Sequence, residues 1–95
     1  MGIKVSIVGA TGNVGREFLS ILEERKFPID ELFLLASSNS EGKKISFGKK
    51  ELKVLDLKKF DFKKCQLVFS SAGSKVSSEF LPKAAKAGCY IIDNS

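Results

Sequence analysis

The apolar run Ile3-Lys4-Val5-Ser6-Ile7-Val8 breaks directly into Gly9-Ala10-Thr11-Gly12-Asn13-Val14-Gly15, and a helical pattern follows at once. A strand that turns through three glycines into a helix constrains the fold more than any other feature of this chain. Gly9 allows a tight turn off the strand. Gly12 lets the backbone approach a pyrophosphate closely. Gly15 lets the helix pack tightly on the sheet, and the helix N-terminus offers free amides and the positive end of its dipole. The spacing is GxxGxxG rather than GxGxxG. Its placement between a strand and an amphipathic helix is what a dinucleotide-binding turn requires, the alternative being a strand-to-helix turn with no ligand.

The rest of the chain alternates strands with helices. Ile3, Val5 and Ile7 alternate with Lys4, Ser6 and Val8, a strand buried mainly on one face. From Asn13 to about Arg25, Val14, Phe18, Ile21 and Leu22 follow helical spacing, and Phe27-Pro28 ends the helix. Leu32-Phe33-Leu34-Leu35-Ala36 is a continuous apolar run of the kind found in central parallel strands. Lys44–Phe47 and Glu51–Val54 alternate around Gly48-Lys49-Lys50 and predict a surface hairpin. Gln66–Ser70 predicts a further strand, and residues 76–87 a helix that Pro82 should kink or divide, with Gly88 as its C-terminal cap. Cys89-Tyr90-Ile91-Ile92 predicts the last strand. The pattern is that of one α/β, Rossmann-like unit: a mostly parallel sheet with flanking helices and a small surface hairpin.

The 95 residues suffice for one small domain. Apolar content of 43% and charged content of 28% are those of a soluble globular protein. No apolar run approaches the roughly 20 residues of a membrane helix, and no secretory leader is visible, so a cytoplasmic protein without membrane contact is expected. Residues 41–65 carry nine lysines against four acidic residues, which equals the whole net charge of +5. No aromatic stacking motif accompanies them, so a solvated lysine-rich face is expected and not a nucleic-acid surface. Cys65 and Cys89 lack metal-ligand spacing, and the chain has no histidine. Both are expected to be buried, reduced thiols, with no metal site and no Cys–His nucleophile.

Three further segments bear on a ligand. Strand two ends in Ala36-Ser37-Ser38-Asn39-Ser40 with no acid before Glu41. An NAD site usually places a carboxylate there for the ribose 2′-hydroxyl. Hydroxyls, an amide and nearby Lys43 and Lys44 favour the 2′-phosphate of NADP instead. Ser70-Ser71-Ala72-Gly73-Ser74 and Asp93-Asn94-Ser95 both follow strands, at the edge where ligands of open α/β sheets sit. Small residues in the first leave room for a cofactor, or Ser74 is simply an N-cap. Asn94 could bond a nicotinamide amide.

Gly9-Ala-Thr-Gly-Asn-Val-Gly15, Leu35–Lys43, Phe69-Ser-Ser-Ala-Gly73 and Gly88-Cys-Tyr-Ile-Ile-Asp-Asn-Ser95 together resemble the N-terminal part of the aspartate-semialdehyde dehydrogenase family. The resemblance covers nearly the whole chain. It implies reduction of aspartyl phosphate to aspartate semialdehyde with NADPH, on the route to lysine, diaminopimelate, threonine and methionine. It places Thr11, Gly12, Asn13 and Val14 at the pyrophosphate and Asn39 and Ser40 at the 2′-phosphate. Ala72 and Gly73 lie along the cofactor, with Asn94 near the nicotinamide. Together with Gly9, Gly15, Ser37 and Ser38 these form the expected cofactor site. Many members have arginine where this chain has Asn39, and an amide does not replace a bidentate guanidinium.

In the family, the catalytic cysteine, the histidine acid/base and the substrate arginines lie beyond the matched stretch, as does most of the homodimer or tetramer interface. The resemblance therefore implies a partial NADP-binding domain spanning residues 1–95, with no catalytic residue of its own and no catalysis alone. Two alternatives remain on sequence: a fragment of N-acetyl-γ-glutamyl-phosphate reductase, whose glycine turn is similar, or a non-catalytic nucleotide-binding remnant.

Overall fold

In the computed structural model, which describes residues 2–94, six strands form one sheet in the order β3-β4-β2-β1-β5-β6. The strands are β1 (Ile3–Val8), β2 (Ile29–Ala36), β3 (Lys44–Phe47), β4 (Lys50–Asp56), β5 (Leu67–Ser70) and β6 (Tyr90–Asp93). The helices are α1 (Asn13–Glu24) and α2 (Ser74–Lys86). Every pairing is parallel except β3 with β4. Residue 95, the last of the Asp93-Asn94-Ser95 segment, lies outside the described residues.

β1 is central, and Val5, Ser6, Ile7 and Val8 are all fully buried. The strand is therefore covered on both faces, beyond the mainly one-sided burial its alternation suggests. A buried serine is tolerated because its hydroxyl lies 3.4 Å from the Cys65 thiol. On one face Val5, Ile7, Leu34 and Val54 pack with Leu19 and Leu22 of α1. Phe18 of α1 stacks on Phe69 of β5 with ring centroids 3.7 Å apart. The buried stripe of α1 is Gly15, Leu19 and Leu22, while Val14 and Ile21 stay exposed. The sequence stripe through Val14 and Ile21 is thus rotated by about one residue from the true one. On the other face Val8, Leu35 and Val68 pack with Phe80 and Ala84 of α2 and with Phe62.

The predicted hairpin forms, but β4 is longer than expected and has two partners. Its first half pairs antiparallel with β3, from Lys50↔Phe47 to Lys53↔Lys44. Its second half, Val54 to Asp56, pairs parallel with Leu34 to Ala36 of β2. The hairpin is therefore the outer edge of the main sheet, and the Gly48 amide donates to Glu23 of α1 to fix it there. Two short 3-10 turns, Leu57–Lys59 and Phe62–Lys64, connect β4 to β5 where a helix would ordinarily cross.

Both helices end in the same motif. Behind α2, Gly88 takes φ +89°, its amide donates to Ala85 and that of Cys89 to Ala84. Behind α1, Lys26 holds the equivalent place with φ +50°, its amide on Glu23 and that of Phe27 on Leu22. Pro82 sits within α2, which runs unbroken from Ser74 to Lys86, so the expected division into two pieces is absent.

The two thiols meet across the start of β5 and β6. Their sulfurs are 3.8 Å apart, and the Cys89 thiol donates to the Phe62 carbonyl at 3.2 Å. Burial pushes the Cys89 thiol up from 9.0 to about 11, helped by the charge and hydrogen bond of Cys65. Among the described residues no helix is long and apolar enough to cross a membrane.

A left-handed lysine carries a Cβ penalty that glycine lacks. Lys26→Gly is therefore expected to stabilise the chain by about 1 kcal/mol, read as a higher urea midpoint; a lower midpoint would contradict the geometry. The Cys89 shift favours the protonated thiol. Its contribution to stability is complete below pH 9 and is lost as pH rises toward 11. At pH 8, iodoacetamide should alkylate Cys89 in the folded chain about 100-fold more slowly than in the urea-unfolded chain, following thiolate fraction. Equal rates would show the thiol to be unshielded.

Candidate dinucleotide-binding site

The carboxyl ends of β1, β2, β4 and β5 open into a cleft of about 690 Å³, within the roughly 300–1,000 Å³ usual for small-molecule sites. Six of the predicted residues line it: Gly9, Thr11, Gly12, Ser37, Ser38 and Ala72. Asn13, Val14 and Gly15 form the first turn of α1 beside it. Asn39 and Ser40 lie one step outward in the 3-10 turn Ser38–Ser40. Gly73 precedes α2, and Asn94 continues the β6 ladder, its amide donating to the Ser70 carbonyl at 2.8 Å.

The three glycines of the turn differ in what they are needed for. Gly9 adopts φ +83°, and a Cβ there would press on the Ala72 backbone at 3.1 Å. A Cβ on Gly15 would collide with the Gly9 carbonyl oxygen and crowd Ala10. Both are demanded by the fold. Gly12 is not: its φ is −81°, and the only neighbour of a Cβ would be the Gly9 oxygen at an ordinary 3.4 Å. The bare backbone at Gly12 keeps open a space that the protein itself does not fill, as a closely approaching phosphate needs.

The first turn of α1 has no side-chain cap and no acidic residue, so its amides and dipole face the cleft uncompensated. The same is true of α2, where Gly73 with φ +95° stands at the N-cap. Helix α2 is anchored there by its own serine: Ser77 lies 2.7 Å from the Ser70 hydroxyl and donates to Asp93 at 3.4 Å. The helix thus starts at Ser74 with glycine in the capping place, where the sequence offered Ser74 as a possible cap.

Several walls of the cleft were not singled out from sequence. Asp56, Leu57, Lys58 and Phe60 arrive from the segment after β4, and Val76, Glu79, Phe80 and Lys83 from α2. The residues after β4 were hidden because Glu51–Val54 read as one arm of a surface hairpin. The parallel pairing of Val54–Asp56 with β2 is what brings that segment to the sheet's ligand edge. The i, i+3, i+4, i+7 spacing of Val76, Glu79, Phe80 and Lys83 was available in the sequence as one face of a helix. Of the two lysines considered for a 2′-phosphate, Lys44 lines a separate cleft between α1 and β3 and pairs with Glu51 at 3.7 Å. Lys58 is the cation that borders the main cleft on this side.

Comparison with known proteins agrees with this geometry. Residues 4–95 match the family model described as semialdehyde dehydrogenase, NAD binding domain. The aspartate-semialdehyde dehydrogenase of Legionella pneumophila is 56% identical over 93 residues, 98% of this chain and 27% of that protein. That of Aquifex aeolicus is 54% identical over 96 residues, 100% of this chain and 28% of that protein. The crystal structure of Vibrio cholerae aspartate semialdehyde dehydrogenase II complexed with ASA superposes with a TM-score of 0.98. It is 45% identical, covering 100% of this chain and 32% of that one. The Candida albicans enzyme with NADP superposes with a TM-score of 0.78 at 25% identity, covering 100% of this chain and 30% of that one. The chain therefore spans a little over a quarter of the length of its curated relatives. With a bare glycine turn at the sheet's carboxyl edge and a family match over residues 4–95, the chain belongs to the semialdehyde dehydrogenase family, of whose NAD-binding domain it is an example.

Proposed function

We propose that this chain binds NADP across the carboxyl edge of its sheet, as the cofactor-binding portion of an aspartate-semialdehyde dehydrogenase. The observation that carries this reading is the space at Gly12 beneath the uncapped start of α1. The pyrophosphate would rest on the amides of Thr11 to Gly15, with Gly9 turning the chain away. The adenosine would lie toward Ser37, Ser38, Asn39 and Ser40, where hydroxyls and an amide accept a 2′-phosphate that an acid would repel. Ala72 and Gly73 would border the middle of the cofactor, and Asn94 its nicotinamide end. The Candida albicans relative was solved with NADP, which favours the same choice.

In the whole enzyme the bound cofactor would supply hydride for reducing an acyl group derived from aspartyl phosphate. These 95 residues would contribute binding and orientation. They contain no histidine, and their two thiols lie against each other, Cys65 buried and Cys89 partly so. We therefore expect no turnover by the chain alone, and assembly into the family's homodimer or tetramer to depend on residues outside it. A cytoplasmic setting belongs to the same proposal.

Calorimetric titration tests the reading directly. The chain should bind NADP and 2′,5′-ADP and respond far more weakly to NAD; equal affinity for NAD would remove the 2′-phosphate assignment, and no binding would remove the site. Two variants separate ligand space from fold. Gly12→Ala should keep the melting temperature and lose most NADP binding, because its Cβ meets ligand and little protein. Gly15→Ala should lower stability by about 1–3 kcal/mol through its clash with the Gly9 carbonyl. The opposite pattern would reverse the roles assigned to the two glycines.

A further inference from the structure

Asp56 ends β4, is only 6% exposed, and forms part of the cleft wall. Its Oδ1 accepts the Lys58 amide at 3.0 Å. No hydrogen bond or ion pair from the described residues reaches Oδ2. No buried side-chain oxygen among those residues lacks a partner, so Oδ2 meets open space, and the open space Asp56 borders is the cleft. The segment after Asp56 lines the cleft with Leu57, Lys58 and Phe60, and α2 lines it with Val76, Glu79, Phe80 and Lys83, so flat apolar surface stands there among charged groups.

A carboxylate oxygen in such a place selects a hydrogen-bond donor. This inference rests on the reading of the cleft as an NADP site, in which the nicotinamide and its ribose, the ligand's other donors besides the adenosine 3′-hydroxyl, would lie toward Asn94. The pyrophosphate and the 2′-phosphate offer acceptors, which a carboxylate repels. The base offers two flat apolar faces and, in adenine alone of the common purine bases, a 6-amino donor at an edge that otherwise only accepts. Guanine and hypoxanthine carry a 6-oxo acceptor there. We propose that Asp56 reads the base, its Oδ2 accepting from the exocyclic amine of adenine while Leu57, Phe60 and Val76 flank the ring. Asp56 is then a specificity determinant for the adenine dinucleotide, supplied by the segment after β4.

The test compares NADP with its hypoxanthine counterpart, nicotinamide hypoxanthine dinucleotide phosphate, by calorimetry on the 95-residue chain. The native chain should bind NADP about tenfold more tightly, the scale of one hydrogen bond to a charged acceptor. Asp56→Ala should lose that tenfold on NADP and leave the affinity for the hypoxanthine ligand no weaker. If Asp56 served only to hold the Lys58 amide, both ligands would weaken together, and that result overturns the proposal even where the variant is less stable. Equal affinities in the native chain overturn the base assignment alone. Binding of neither ligand overturns the cleft reading and this inference with it.

Discussion

The contact between the first turn of α1 and the Gly9 carbonyl sets the position of everything at the sheet's ligand edge. With no side chain at Gly15, the helix starts directly over the end of β1, as no residue with a Cβ would allow. That closeness aims the uncapped amides of α1 across the carboxyl ends of the neighbouring strands. It also brings Leu19 and Leu22 down onto Val5, Ile7 and Leu34, so the same contact orders the core. Burial of that face then holds the turn in place, and Gly9 supplies its positive φ without a Cβ penalty.

The sequence carried most of the architecture because three of its signals were local. The glycine turn, the apolar run of β2 and the glycine behind α2 each specify their conformation within a few residues. What escaped was nonlocal. β4 reads as alternating and half-exposed through Val54, which is true of its hairpin half. Its last three residues change partner and enter the parallel sheet, a choice made by β2 and invisible in the strand's own pattern. Lys26 gave no sign of its left-handed backbone, since lysine has no preference for it; the conformation goes with the closing hydrogen bonds of Lys26 to Glu23 and Phe27 to Leu22. Pro82 is accommodated inside α2 although its missing amide should weaken the helix, and packing of Phe80 and Ala84 holds the helix continuous across it.

The candidate site divides along the same line. The end proposed for the phosphates is made of backbone in a local motif, so it was legible as Gly9 to Gly15. The end proposed for the base is made of side chains drawn from the turn after β4 and from one face of α2. Their meeting depends on the sheet order β4-β2-β1-β5 and on the stacking of Phe60, Phe62 and Phe80 that spans the gap left by an absent crossover helix.

That absent helix has a consequence for selectivity. A crossover helix after β4 would satisfy the backbone there through its own ladder and present a uniform surface to the cleft. Two short 3-10 turns do otherwise: each is capped by an aspartate, Asp56 on the Lys58 amide and Asp61 on the Lys63 amide. Asp61 lies at the surface, where both of its oxygens can reach water. Asp56 is held by the end of β4 with one oxygen committed and the other facing the cleft, so a residue required for local backbone geometry also places an acceptor where a base would lie. On the proposed reading, the phosphate grip would come from the glycine turn, and discrimination among bases from how this chain closes the gap between β4 and β5.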